Sequence, residues 1–206
     1  AWEFNRNIEF CALRGRLSKE MVQSITKIKL DIPLGDPGLL VREIYPGKVD
    51  KIFDLGVVLH WKESTEDIRK FIRLSKYSFK FINPADTPEK VIDEIKKCRV
   101  IISSSLHGLI VSDAFGIPNR HMLVTEKVEG GTFKFRDYYS AYNDYPYVNF
   151  SIRRQLVTDR LIEDILTGYI NREDEIKQIN KRLINSYPNY AKMYINPLRR
   201  LFKQFF

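Results

Sequence analysis

The chain has 206 residues and a mass of 24.3 kDa, enough to bury a substantial hydrophobic core. With 44% apolar and 29% charged residues, no apolar run near the roughly 20 residues that cross a bilayer, two cysteines and three histidines, the composition argues against a spanning helix, a disulfide scaffold and a metal cluster, and the expected compartment is the cytoplasm. The net charge of +8 is unevenly spread: from Ile176 to Phe206 there are seven basic residues and no acidic one, so the body is nearly neutral and a protein-wide nucleic-acid surface is not expected.

The first residues, AWEFNRNIEF, contain neither a starting Met nor an apolar signal segment, and they read as the start of a fragment or processed chain. Ile8 to Leu13 is a short strand candidate. Ser18 is placed to cap a helix over Lys19 to Ile25, and Ile32 to Leu34 runs into a turn at Gly35-Asp36-Pro37. Tyr45-Pro46-Gly47-Lys48 has turn chemistry followed by a polar run, and it is the expected domain boundary. Leu55 to Leu59 reads as a buried strand, Thr65 to Leu74 as a helix and Tyr77 to Ile82 as another strand. Thr87-Pro88 is a helix start: Pro fits the first helical position, Glu89 the positive end, and Lys96 and Lys97 the negative end, while Val91, Ile92, Ile95 and Cys98 form one apolar stripe. Arg99 to Ser103 is a strand and Leu106 to Phe115 a helix closed by Gly116-Ile117-Pro118. His121 to Val124 is a further strand. An irregular aromatic stretch, Phe133 to Phe150, then precedes a helix pair from Asp159 to about Asn185.

Short apolar strands alternating with helices define an α/β class with a doubly wound, Rossmann-like parallel sheet and C-terminal helices. The expected organisation is 1–46 as the remnant of an N-terminal domain, 47–175 as the Rossmann-like domain, and 176–206 as a basic, aromatic helical tail. That tail carries Tyr187, Tyr190, Tyr194, Phe202, Phe205 and Phe206 among its basic residues, which suits an anionic membrane surface at the inner face of the cytoplasmic membrane.

Ligands of such sheets sit beyond the carboxyl ends of the strands, where helix N-termini direct their amides. The residues at those positions are Arg14-Gly15, Gly35-Asp36-Pro37, His60-Trp61, Asn83-Pro84, and Ser103 through Gly108. The serine run offers hydroxyls and amides to a phosphate or carboxylate, Gly108 permits close approach, and His107 in the first helical turn is the candidate proton acceptor and donor. Plainer readings stand beside these: serines that only cap, a packed His60, an Arg14 in a structural ion pair, and a Cys98 that belongs to the core. Neither a glycine-rich dinucleotide fingerprint nor a Walker loop is present.

The segment NPADTPEKVIDEIKKCRVIISSSLHGLIVSDAFGIP, Asn83 to Pro118, resembles the signature region of the polysaccharide pyruvyl transferases. LRGRLS (Leu13 to Ser18), GDPGLL (Gly35 to Leu40), LGVVLHW (Leu55 to Trp61) and FKFRDYYSA (Phe133 to Ala141) occur in the order of that family. The resemblance implies a GT-B-like transferase that moves the enolpyruvyl group of phosphoenolpyruvate onto two hydroxyls of a sugar, as a ketal. The acceptor would be a surface polysaccharide or its lipid-linked precursor. By the same resemblance His107 is the acid–base residue, Arg14 binds the donor, and Ser105 and Leu106 line its pocket. From their own positions beyond the strands, Ser104, His107, Gly108 and His60 are expected to join the donor contacts, with His60 in reserve for the proton steps, and Asp36 and Asp137 to orient Arg14 or bind sugar hydroxyls. No cofactor or metal is implied. Some relatives carry a second arginine where Ser105 stands, so donor contacts here would be distributed differently. The family's N-terminal domain would supply acceptor contacts and an acidic residue, and only its tail fits in this chain. Two alternatives share these features: a GT-B nucleotide-sugar glycosyltransferase, and a non-catalytic module that binds glycans or membranes.

Overall fold

The computed structural model describes residues 8–124, 131–143 and 147–187. In chain order its elements are α1 (Arg16–Thr26), a 3-10 turn (Pro37–Leu40), α2 (Val41–Ile44), β1 (Phe53–Val58), α3 (Thr65–Arg69), β2 (Ile72–Arg73), β3 (Phe79–Ile82), α4 (Pro88–Lys96), β4 (Cys98–Ser103), α5 (Leu106–Ala114), β5 (Asn119–Leu123), α6 (Phe133–Tyr139), β6 (Asn149–Ser151), β7 (Val157–Thr158), α7 (Asp159–Thr167) and α8 (Glu173–Ser186). Two compact units result. One comprises the described residues of Ala1–Tyr45, Thr132–Tyr147 and Asp174–Phe206; the other comprises those of Pro46–Gly131 and Val148–Glu173.

The second unit is the Rossmann-like doubly wound α/β domain. Its sheet has five parallel strands in the order β3-β1-β4-β5-β6, with Val58 opposite both Ile82 and Ser103. Side chains alternate across it as a strand requires. Leu55, Val57, Val100, Ile102, Met122 and Phe150 pack with Ile68 of α3 and with Leu161, Ile162 and Ile165 of α7. On the opposite face Val58, Ile82, Ile101 and Cys98 pack with Ile95 of α4 and Val111 of α5. Both faces are therefore buried, which is why β1 and β4 read as continuous apolar runs. α4 begins as its sequence indicates, with the Thr87 hydroxyl accepting the Lys90 amide and Pro88 in the first turn.

In the first unit the anchor is aromatic. Phe135, Tyr138 and Tyr139 of α6 are buried with Tyr142, and the Tyr138 and Tyr142 rings meet edge-on with their hydroxyls 2.6 Å apart. α8 contributes Ile179 and Leu183, and Asn180 Nδ2 donates to the Leu39 carbonyl. Gly35 has φ +150°, and a Cβ there would lie 2.4 Å from Ile179, so only glycine fits this turn.

Several local expectations are corrected. Ile8 to Leu13 does not form a strand; a single parallel bridge joins Leu13 to Leu34. The helix after Thr65 stops at Arg69, because Ile72 and Arg73 pair with Val157 and Thr158 in a separate two-stranded sheet. Phe133–Tyr139 is helical where an irregular stretch was expected. α1 starts two residues before Ser18, which lies inside the first turn and not at its cap. Of the basic aromatic tail, only 176–187 is described, and there Ile176, Ile179, Asn180 and Leu183 of α8 are buried. Tyr190, Tyr194, Phe202, Phe205 and Phe206 fall outside the described residues. Among the described residues no helix is long and apolar enough to cross a membrane, and no cluster of His, Cys, Asp and Glu could hold a metal ion.

Candidate functional site

The strand order makes the chain reverse its direction of winding between β1 and β4. The connection leaving β1 runs to α3 on one face and that leaving β4 to α5 on the other, both starting from the paired residues Val58 and Ser103. That crossover is where doubly wound sheets bind ligands. It is lined by Leu59-His60-Trp61 and by Ser104-Ser105-Leu106-His107.

A short hydrogen-bond network ties the two loops together. The Ser104 amide and the Ser103 hydroxyl both donate to the Val58 carbonyl, at 3.0 and 2.9 Å. The His60 amide donates to Ser104 Oγ at 2.9 Å and to Glu63 Oε2 at 3.1 Å. Ser104 Oγ donates in turn to Glu63 Oε2. Glu63 closes its own turn by donating its amide to the His60 carbonyl at 2.9 Å. Its other oxygen, Oε1, is buried with no hydrogen-bond partner. Such an orphan acceptor is rare enough to mark a position under constraint.

The entrance to α5 has a different character. Ser105 occupies the N-cap position, yet its side chain makes no capping bond, which departs from the plain capping reading. Among the described residues neither the Ser105 hydroxyl nor the exposed His107 imidazole has a partner. Leu106 and Gly108 are buried beneath them. Gly108 is needed for packing: a Cβ there would lie 2.4 Å from Ser103 Oγ and 3.0 Å from Val58, so a side chain would lift α5 off the end of the sheet. A helix N-terminus with uncapped amides, a hydroxyl and an imidazole suits an anion that undergoes proton transfer.

In the other unit, Arg14 precedes Gly15, the N-cap of α1. Its Nε donates to Asp137 Oδ2 at 3.0 Å, with Asp137 fully buried and the arginine side chain 30% exposed. Asp137 also receives the Ser18 amide at 2.8 Å and the Ser18 hydroxyl at 2.6 Å, while Ser140 Oγ receives the Arg16 amide at 2.8 Å. α6 therefore caps α1 from across the unit, an arrangement that only a bare residue at position 15 allows. A Cβ on Gly15 would fall 1.7 Å from the Asp137 carbonyl oxygen. Asp137 takes up Nε alone, so among the described residues the terminal nitrogens of Arg14 have no protein partner. Asp36 has a local task, since Oδ1 accepts the Gly38 amide at 2.9 Å at the start of the 3-10 turn.

The expected site residues thus occupy both units: Arg14, Asp36 and Asp137 in one, and His60, Ser104, Ser105, Leu106, His107 and Gly108 in the other. Glu63 escaped the sequence reading. The signal for it was present, since it is the carboxylate three residues beyond His60 in the loop leaving β1.

The family model for polysaccharide pyruvyl transferase matches residues 1–124. The chain belongs to the polysaccharide pyruvyl transferase family. It is 26% identical over 137 residues to uncharacterized protein L143 of Acanthamoeba polyphaga mimivirus, covering 63% of this chain and 47% of that protein. It is also 26% identical over 105 residues to succinoglycan biosynthesis protein ExoV of Rhizobium meliloti (strain 1021), covering 50% of this chain and 32% of that one. The chain therefore spans about half the length of the first relative and a third of the second. No solved structure matches it significantly.

Proposed function

We propose that the protein transfers the pyruvyl group of phosphoenolpyruvate to two hydroxyls of one sugar in a surface polysaccharide or its lipid-linked precursor, forming a pyruvate ketal. Family membership supports pyruvyl transfer in general. The observation that carries the finer reading is the α5 entrance at the β1–β4 crossover, with its uncapped amides, the Ser105 hydroxyl and the exposed His107.

In this reading the α5 amides and the Ser105 hydroxyl hold an anionic group of the donor. Ser104, Leu106 and Gly108 shape the floor, and His60 fixes the adjoining loop. Two C–O bonds form at C2 of the enolpyruvyl group as its bond to the phosphate oxygen breaks. One hydroxyl proton ends on the former methylene carbon, which becomes a methyl group, and the other leaves with inorganic phosphate. His107 passes protons between these centres as acceptor and then donor. Asp137 holds Arg14 in place without touching substrate. The basic tail would keep the enzyme at the inner face of the membrane, where a lipid-linked acceptor presents its sugar.

The test is incubation of the full-length protein with phosphoenolpyruvate and candidate lipid-linked sugars, following phosphate release and the mass of the acceptor. Phosphate release matched by gain of a pyruvyl group is expected. Consumption of a nucleotide sugar with phosphoenolpyruvate untouched would replace this reading with a glycosyltransferase.

A further inference from the structure

Trp61 is 70% exposed, more than any other large hydrophobic side chain among the described residues. Exposing an indole forfeits a large burial gain, and a lone exposed aromatic on an inert surface would need no explanation. This one stands beyond the carboxyl end of β1, at the β1–β4 crossover, on a loop that is pinned to the end of β4. The residue before it gives its amide to Ser104 and Glu63, and Glu63 two residues later is tied to Ser104. The loop is therefore held to the end of β4 on both sides of the indole, so the ring is presented on a rigid base. Its immediate surroundings are polar: the His60 ring lies 5.8 Å away with a 37° tilt, and the Lys62 ammonium is 5.0 Å from the indole centroid.

We infer that Trp61 is the platform on which a pyranose ring of the acceptor stacks, and that the His60–Glu63 turn forms the acceptor-sugar subsite. The inference rests on the reading of the protein as a pyruvyl transferase with a saccharide acceptor. A pyranose has one face of C–H bonds with partial positive charge, which matches the electron-rich face of an indole. Its hydroxyl edges need polar neighbours, which the Lys62 and His60 side chains provide. Anchoring the loop through Glu63 lowers the ordering cost of such a contact.

The indole N–H resonance of Trp61 in the full-length protein, assigned by its loss in Trp61→Phe, reads binding directly. Titration with methyl hexopyranosides of gluco, galacto and manno configuration is expected to shift that resonance for at least one sugar. With the true acceptor, Trp61→Ala is expected to raise acceptor KM roughly tenfold, and Trp61→Phe, which keeps an aromatic face, to stay near the wild-type value. An indole resonance unmoved by every pyranoside, or an unchanged acceptor KM in Trp61→Ala, overturns the inference. Failure of the wild-type protein to bind phosphoenolpyruvate would instead sink the donor reading, and the pyranoside titration stands apart from that result.

Discussion

Asp137 and Arg14 meet at 3.0 Å across 123 residues of sequence, the carboxylate fully buried and the guanidinium engaged through Nε only. The same carboxylate receives the amide and hydroxyl of Ser18, so it serves at once as the cap of α1 and as the holder of Arg14. Asp137→Asn keeps the shape but removes the charge that three donors share. Loss of about 2–4 kcal/mol is expected in urea unfolding, because a guanidinium is left beside a neutral amide. Arg14→Lys should cost less than this, since a positive charge stays beside Asp137.

Position 15 tests whether that cap is as tight as its geometry implies. Gly15→Ala puts a methyl group where the Asp137 carbonyl oxygen already lies, and a backbone atom cannot swing aside. A loss of roughly 3 kcal/mol or more is expected, at the upper end of what overpacking costs. A Gly15→Ala protein with an unaltered melting temperature would show that α1 and α6 are not in contact.

His107 is exposed and has no hydrogen-bond partner among the described residues, so its removal should leave the fold unperturbed. His107→Ala is expected to stay within about 0.5 kcal/mol of wild-type stability and to lose turnover by a factor of roughly 100 or more, the contribution of a general acid–base group. Normal turnover in this variant would reassign the proton-transfer step.

A pH effect on stability follows from Glu94. The ammonium of Lys80 holds its carboxyl below the ordinary value of 4.5, with Lys97 adding to the effect and burial opposing it. A lowered folded-state value means that the stabilisation is complete above pH 4.5 and fades as the pH falls through the lower value. Glu94→Gln should therefore be less stable than wild type at neutral pH by about 0.5–1 kcal/mol, and the two stabilities should converge as acid protonates the folded-state carboxyl.

Burial pushes the Cys98 thiol up to about 12, with its Sγ donating to the Glu94 carbonyl. In mildly alkaline solution it is a neutral thiol in the core, and it should react with a disulfide reagent only as the protein unfolds. Rapid labelling in the native state would contradict its place between β1 and α4.

Much of the Rossmann-like unit could be read directly from the chain. β1 and β4 are buried on both faces, so they appear as unbroken apolar runs, and α4 carries its own start signal in Thr87-Pro88. The serine run and His107 were recognisable for the same local reason: they follow a strand and open a helix. α6 was hidden because its Thr132 cap makes no side-chain bond, and its helical state rests on Phe135, Tyr138 and Tyr139 being buried together. Ile8 to Leu13 has strand-like composition but only one bridge, since a strand needs a partner along its length.

Short-range pattern alone thus settled where most helices and strands of the sheet-bearing unit lie, because alternation, capping and apolar runs involve residues a few places apart. Tertiary structure decided which polar groups those elements would share: Asp137 with Arg14, Glu63 with Ser104, and the order that puts β1 beside β4. The physical reason is that a buried charge must find its donors wherever packing brings them, and that distance through space has no counterpart in distance along the chain.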